Sequence, residues 1–392
     1  MILAADRVIP GDGKTVLENH VVEVCEETGK ITRVISLDTL KAEGGKPDVS
    51  YPGCTLMPGL IDMHVHISAF NKPFGFAGSD FAHAYATLHN AEQALTLGVT
   101  TLRSVADKNK LVASLVWAKE NGYISTAIPR IIPCGNGICM TGGHGSEFPD
   151  GGDIADGPWA LRKRVRQNIM DGAQWIKLLT SHREDIPEFT QEELDAAVDE
   201  CHRRKHKVAV HSGMHCTIQM CIDAGVDTIE HGTHMTVDQA ETMRDKGIAW
   251  TPTMMVYSEM AKKFAGRSDA AAKSYQRAAE AYRKNFKKLY DTGVTVLAGT
   301  DVPADSEGVI TYRELEYMVA YGITPLQAIQ TATENPARVL DLGDVTGAVK
   351  PGLAADILIV AGDPSRNIAD VRNVTEVYQS GVSVYRKAAA EQ

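Results

Sequence analysis

Pro58-Gly59-Leu60-Ile61-Asp62-Met63-His64-Val65-His66 reads as an apolar strand ending in two histidines. Side chains alternate across a strand with period two, so His64 and His66 share one face and can converge on one ion. A His-x-His pair alone is a weak signal, because strands also carry satisfied polar histidines. Further along, Lys177 sits inside the strand-like run Gln174-Trp175-Ile176-Lys177-Leu178-Leu179 and His211 closes Val208-Ala209-Val210-His211. His231 follows Thr228-Ile229-Glu230, and Asp301 completes Gly299-Thr300-Asp301.

These runs belong to a longer pattern. From about residue 56 to 344, apolar strand-like runs alternate with helical stretches, the signature of βα units around a parallel sheet. The expected strands are Leu56 to His64, Thr100 to Val105, Pro129 to Pro133, Trp175 to Leu179, Val208 to His211, Thr228 to Glu230, Ile248 to Pro252 and Thr295 to Ala298. That is the number a closed (β/α)8 barrel needs. Asp80 to Thr96, Gln191 to Lys205 and Ala270 to Thr292 read as helices between them. Residues 1–55 and 345–392 have a different texture, short alternating runs such as His20-Val21-Val22-Glu23-Val24 and Val374-Thr375-Glu376-Val377-Tyr378. Neither end holds enough strands for a sheet of its own, so the two are expected to pair as one composite β domain beside a barrel of residues 56–344.

The chain has 392 residues and a formal charge of −10 that is spread rather than blocked. With no basic patch interleaved with aromatics, a nucleic-acid partner is not expected. Seven cysteines without a Cys-x-x-Cys argue against a disulfide framework or a structural zinc knot and for buried thiols. The opening Met1-Ile2-Leu3-Ala4-Ala5-Asp6 lacks a basic region followed by a full apolar segment, and no run is long enough to span a bilayer. The expectation is a cytoplasmic protein with no membrane partner.

In a parallel α/β barrel the active site forms at the C-terminal ends of the strands. His64, His66, Lys177, His211, His231 and Asp301 all fall at or near that rim, which gives a scattered set of residues one address. Lys177 has two readings: an amine that snorkels or pairs with a carboxylate, or one whose depressed pKa lets it react with carbon dioxide to give a carbamate able to bridge two metal ions. In the second, His64 and His66 would bind the more buried ion and His211 and His231 the more exposed one. Asp301 would take the proton of a water activated as zinc-bound hydroxide. In Thr141-Gly142-Gly143-His144-Gly145 the glycines would let the backbone bring His144 over the metals to polarise a carbonyl. Arg183 could hold a substrate carboxylate or be a solvated loop charge. His202 and His206, four apart on a helix expected outside the barrel, read as a solvated face.

These residues resemble the amidohydrolase superfamily over almost the whole chain. The resemblance extends to Ile229-Glu230-His231-Gly232, Ala298-Gly299-Thr300-Asp301, Thr333-Glu334-Asn335-Pro336-Ala337-Arg338 and Gly347 to Asp356. Within it the chain is most similar to the imidazolonepropionase-related branch, which includes binuclear zinc Xaa-Pro and Xaa-Arg dipeptidases. The resemblance implies a distorted (β/α)8 TIM barrel with a composite β-sandwich built from both chain ends. It also implies two zinc ions, an N6-carboxylated Lys177 and a homo-oligomer. The branch pattern often places a tyrosine shortly after the fifth-strand histidine, where this chain has Ser212-Gly213-Met214-His215. His144 would then act alone, or His215 or Tyr257 would stand in.

The function expected is hydrolysis of an amide C–N bond in a small, carboxylate-bearing molecule such as a dipeptide or N-acyl amino acid. A cyclic amide or lactam hydrolase of imidazolone type, or a mononuclear deaminase, is the alternative on the same barrel; a one-metal site needs no bridging anion from Lys177. A non-catalytic binding protein would have no use for Asp301 beside a metal-bound water.

Overall fold

Alternating burial marks the first strands: β1 (Ile2–Val8), β2 (Leu17–Cys25), β3 (Lys30–Ser36) and β4 (Val49–Pro58) each present apolar residues to one side. The computed structural model describes residues 1–68, 79–107, 109–146, 152–180, 186–301 and 308–388. The single expected strand from Leu56 to His64 is two strands, because the chain breaks register at Gly59 and continues as β5 (Leu60–Val65). A Cβ on Gly59 would lie 2.2 Å from Thr100 Oγ1, so only glycine passes here. β4 belongs to one sheet and β5 to another.

The parallel strands follow: β6 (Val99–Ser104), β7 (Arg130–Pro133), β8 (Ile138–Cys139), β9 (Asp153–Ile154), β10 (Trp175–Leu179), β11 (Lys207–Ser212), β12 (Thr228–His231) and β13 (Ala249–Thr251). β5, β6 and β7 form one parallel sheet, and the order β13-β12-β11-β10-β8-β9 forms another. β5, β6, β10, β12 and β13 are buried along their whole length, which is why they read as unbroken apolar runs. Gln174 N donates to Pro133 O at 2.8 Å, linking β7 to the start of β10. The run 295–298 lies between β13 and β5: Trp250 N donates to Thr295 O (2.8 Å), Leu297 N to Trp250 O (2.8 Å) and Met63 N to Ala298 O (2.9 Å). The two-residue strands β8 and β9 have no periodic signature and were not expected.

The intervening helices are amphipathic. Ala270–Tyr290 buries Ala272, Ala278, Tyr282, Phe286 and Leu289, a stripe at helical spacing, and ends two residues before the expected Thr292. Gln191–His202 begins on a capping box, Thr190 with Glu193, and also stops short of the expected Lys205. All seven cysteines are free thiols. Among the described residues no helix is long and apolar enough to cross a membrane.

After the parallel strands come β14 (Ile357–Ala361), β15 (Val374–Gln379) and β16 (Val382–Arg386). They join the first strands in one seven-stranded sheet of order β16-β15-β14-β4-β1-β2-β3. The resemblance implied a composite β-sandwich. Among the described residues these strands form one hydrogen-bonded sheet whose outer turns approach each other: a Cβ on Gly29, at the β2–β3 turn, would lie 2.3 Å from Ser380 O at the β15–β16 turn. Inside, Tyr51 donates a 2.7 Å hydrogen bond to Glu376, whose carboxylate also holds Arg386 at 2.7 Å.

Outside the parallel strands, helices Pro158–Met170 and Gln191–His202 are joined through Glu200, whose side chain is fully buried. Arg166 Nε (2.8 Å) and Arg204 Nε (2.5 Å) both donate to its Oε1, with Arg203 3.2 Å from Oε2. The Arg166 hydrogen bond is the largest factor holding the Glu200 pKa down, from 4.5 to about 2. A carboxylate with a depressed folded-state pKa adds stability that is present above its unfolded value and lost as pH falls through the folded one. Glu200→Gln should therefore lower stability by about 1–3 kcal/mol at pH 7. Thermal unfolding of both proteins across pH should show this difference shrinking from pH 4.5 down towards 2; a difference constant with pH would contradict the ion-pair account.

Candidate metal centre

His64 lies on β5 with its side chain buried; a near neighbour holds its backbone and a distant strand holds its ring. Asp62, two residues earlier on the same face, accepts the His64 backbone N–H (3.0 Å) and that of Thr300 (3.2 Å). The His64 ring hydrogen-bonds through Nδ1 to Glu230 Oε2 at 2.7 Å, which leaves Nε2 pointing 3.3 Å from Asp301 Oδ1. His66 donates through Nδ1 to Val105 O (2.7 Å) and turns Nε2 to within 3.0 Å of the same Asp301 oxygen. A carboxylate or carbonyl on one imidazole nitrogen sets the tautomer and frees the other as a ligand.

Asp301 reaches this position because Gly299 lets the chain pass against β5: a Cβ there would lie 2.7 Å from His64 Cβ. Its backbone N–H then donates to His64 O at 2.8 Å. On the opposite side His231 ends β12, with Nδ1 2.7 Å from Thr253 Oγ1 and 3.8 Å from Asp301 Oδ2. Its carbonyl accepts from Trp250 Nε1 (2.7 Å) and Tyr282 OH (3.0 Å). His231, Thr253 and Asp301 all have left-handed backbone, with φ of 70°, 51° and 54°. Non-glycine residues in that region carry strain, which gathers where side chains must be aimed at a site.

Ring centroids trace an arc: His66 to His64 5.4 Å, His64 to His231 5.1 Å, His231 to His211 4.3 Å and His211 to His144 4.4 Å. Ligand atoms of His64, His231 and Asp301 lie within 4.8 Å of one another. Lys177, 1% exposed on β10, makes no hydrogen bond through Nζ with any described residue. Burial lowers its pKa from 10.5 to about 8 against the opposing pull of Glu230 and Asp301. Burial would raise the Asp301 pKa, but His64, His66 and His231 hold it well below the ordinary carboxylate value. Burial likewise holds His231 well below the ordinary imidazole value. An anionic carboxylate, imidazole nitrogens and an amine open to deprotonation are the donor set a divalent ion with nitrogen and oxygen ligands requires.

Tyr257 stands beside the arc, its ring 5.6 Å from His231 and within 6 Å of Tyr275 and Tyr282. His144 is half-buried, its backbone N–H donating to Glu188 Oε2 at 3.0 Å. His215 is not part of the arc: it is exposed at the start of helix His215–Ala224, with Nδ1 3.3 Å from Gln239 Oε1. Arg183 lies outside the described residues. His202 pairs with Asp227 at 2.8 Å, away from the arc.

Two residues essential to this geometry carried no expected role. Arg103 on β6, with no exposed surface, donates to Met63 O (2.7 Å), Thr228 Oγ1 (3.0 Å) and Glu230 Oε1 (2.7 Å), and stacks 4.7 Å over Trp175. Burial alone would raise the pKa of Glu230; Arg103 and His64 pull it well below the usual range. A charge inside each of two apolar strands, Thr100 to Val105 and Thr228 to Glu230, marks each as needing a buried partner, without saying that they are each other's.

The amidohydrolase family model matches residues 55–384. The chain is similar to the ochratoxinase of Aspergillus niger, at 28% identity over 97% of this chain and 85% of that protein. Its structure is similar to that of a Xaa-Pro dipeptidase with methionine bound in the active site, at a TM-score of 0.86 and 28% identity, covering 98% of this chain and 99% of the other. A prolidase complexed with N-methylphosphonate-L-proline gives a TM-score of 0.83 at 25% identity over 99% and 100% of the two chains. These neighbours have the α/β fold of TIM-barrel type.

Arg103→Met should leave the buried Glu230 without its guanidinium, held only by His64 and Thr228, and lower stability by about 3–5 kcal/mol. Chemical denaturation at neutral pH measures this; a loss below about 1 kcal/mol would show that Glu230 finds its compensation elsewhere.

Proposed function

The chain belongs to the amidohydrolase family, hydrolases of carbon–nitrogen bonds, and from that premise we propose that it cleaves an amide bond in a small carboxylate-bearing molecule such as a dipeptide or N-acyl amino acid. His64, His66, Lys177, His211, His231 and Asp301 would hold two divalent ions, zinc by the chemistry of the donors, with His64 and His66 on one side and His211 and His231 on the other. The observation that carries the reading is the convergence of Asp301 on His64, His66 and His231 beside a buried lysine whose amine has no hydrogen-bond partner among the described residues. A neutral Lys177 amine can add to carbon dioxide, forming an N–C bond and releasing one proton, and the resulting carbamate is an anionic oxygen donor. When bound, such ions lower the pKa of water and polarise a carbonyl.

Around that chemistry the side chains have separate tasks. Asp301, held ionised, would accept the proton of the attacking water and return it to the leaving nitrogen. His144 beside His211 and Tyr257 beside His231 flank the arc and would donate to the carbonyl oxygen as it gains charge. Arg183 would meet the substrate carboxylate. The names of the similar proteins, a Xaa-Pro dipeptidase and a prolidase seen with a phosphonate of proline, support a carboxylate next to the scissile bond. In the same reading residues 56–344 would form a distorted (β/α)8 barrel and residues 1–55 with 345–392 the composite β domain, a reading supported by the hydrogen bonds of run 295–298 to both β13 and β5. A homo-oligomer accords with the family resemblance.

Metal analysis of the purified protein with a screen of dipeptides, N-acyl amino acids and lactams tests the substrate class; turnover confined to lactams would overturn the acyclic assignment. Lys177→Ala should lose bound metal and cut turnover beyond the about 10–100-fold typical of an outer-shell partner, with partial rescue by short carboxylic acids. Full metal content in that variant would sink the carbamate. Asp301→Asn should keep metal while kcat falls by about 10²–10⁴-fold, and retained turnover would remove Asp301 as the proton carrier.

A further inference from the structure

Two residues one turn apart on helix Thr311–Ala320 reach opposite halves of the candidate centre. Thr311 Oγ1 donates to Asp62 Oδ2 at 2.7 Å, and the other oxygen of Asp62 accepts the backbone N–H groups of His64 and of Thr300, the neighbour of Asp301. Glu314, three positions on, accepts the backbone N–H groups of Met254 (2.9 Å) and Met255 (2.7 Å) through its two oxygens. Those are the first two amides of helix Met254–Lys263.

A helix leaves its first amides without partners, and the usual remedy is a Ser, Thr, Asp or Asn side chain immediately before it. Thr253 occupies that position with a suitable hydroxyl, yet it makes no capping hydrogen bond: its backbone is left-handed and its hydroxyl goes to His231 Nδ1. Glu314, from a helix more than fifty residues away in sequence, does the capping instead. Asp62, Thr253, Thr311 and Glu314 all have no exposed surface. A buried carboxylate is costly to keep, and neither Glu314 nor Asp62 has a task in the chemistry above.

We propose that helix Thr311–Ala320 is a brace that sets the spacing of the two halves of the centre, with Glu314 as a positioning residue. By capping Met254 and Met255 it frees Thr253 to orient His231 and fixes the helix turn that carries Tyr257, while Thr311 holds the His64–Asp301 half through Asp62. The inference rests on the reading of the site under Proposed function. Its structural part, that Glu314 releases Thr253 from capping, stands on the hydrogen bonds alone.

The test is a double-mutant cycle of Glu314→Gln, which keeps one of the two acceptors, with Tyr257→Phe, read alongside hydrogen exchange of residues 253–257 in the purified protein. Exchange there should quicken by about tenfold in Glu314→Gln, since local opening tracks the lost cap. In the wild-type background kcat should fall by about tenfold with KM little changed, and in the Tyr257→Phe background by less than about threefold, the non-additivity of residues acting through one element. Glu314→Ala, with neither acceptor, should be worse than Glu314→Gln in both measurements. Unchanged exchange would overturn the cap, and an equal kcat loss in both backgrounds would overturn the link to Tyr257. If the exchange result holds while the wild-type protein hydrolyses no amide, the cap is supported and the reaction assignment is what fails.

Discussion

Glu230 has no exposed surface and is charged, and much of the molecule is arranged around that fact. Taking a carboxylate out of water costs several kcal/mol unless partners surround it, and here one oxygen takes the guanidinium of Arg103 and the other the imidazole of His64. Arg103 is equally buried and reaches Met63 O on β5 and Thr228 on β12 from its own place on β6. Three strands that are not all neighbours are thus pinned to one ion pair. Sliding any of them would strand a buried charge, so the ring of His64 is held as firmly as the strands themselves.

That rigidity is transmitted outward to the rim. Glu230 fixes which nitrogen of His64 faces the interior, and Asp301 meets that nitrogen because Gly299 and the backbone bond to His64 bring the run from 295 to 301 alongside β5. On the other half, His231 is held by Thr253, Trp250 and Tyr282 in a backbone conformation that costs about 1–3 kcal/mol for a residue with a side chain. Strain of this kind persists only where surrounding contacts over-determine it. The carboxylates of Asp62 and Glu314 supply that surplus, joined through a single helix.

The seven-stranded sheet acts at a distance from this chemistry. It unites strands from the two chain ends and meets the parallel strands through Gly59, where no side chain fits against Thr100. β5 is therefore aimed from the outside by β4 and from the inside by the Arg103–Glu230 pair.

Much of this was readable in the amino-acid order. Parallel strands buried on both faces appear as apolar runs, so the positions of β6, β10, β11 and β12 follow from local periodicity within a residue or two. The break between β4 and β5 does not, because the close approach of Thr100 that demands glycine at position 59 comes from a distant strand. His64, His66, His231 and Asp301 stand out by residue type at strand ends. Arg103, Glu230, Thr253 and Glu314 do not, since a charge or hydroxyl has the same local signature whether it pairs, snorkels or caps. His215 shows the converse, a histidine near a strand end whose helix turns it towards Gln239.

By itself, then, the sequence determined which segments are strands or helices and which residue types stand at their ends, because burial and periodicity are properties of neighbours along the chain. Only the tertiary structure decided which atoms meet. Glu230 finds His64 across 166 positions and Asp301 finds His66 across 235. Such pairings are set by strand register and by the closing of the chain on itself, and no local pattern encodes them.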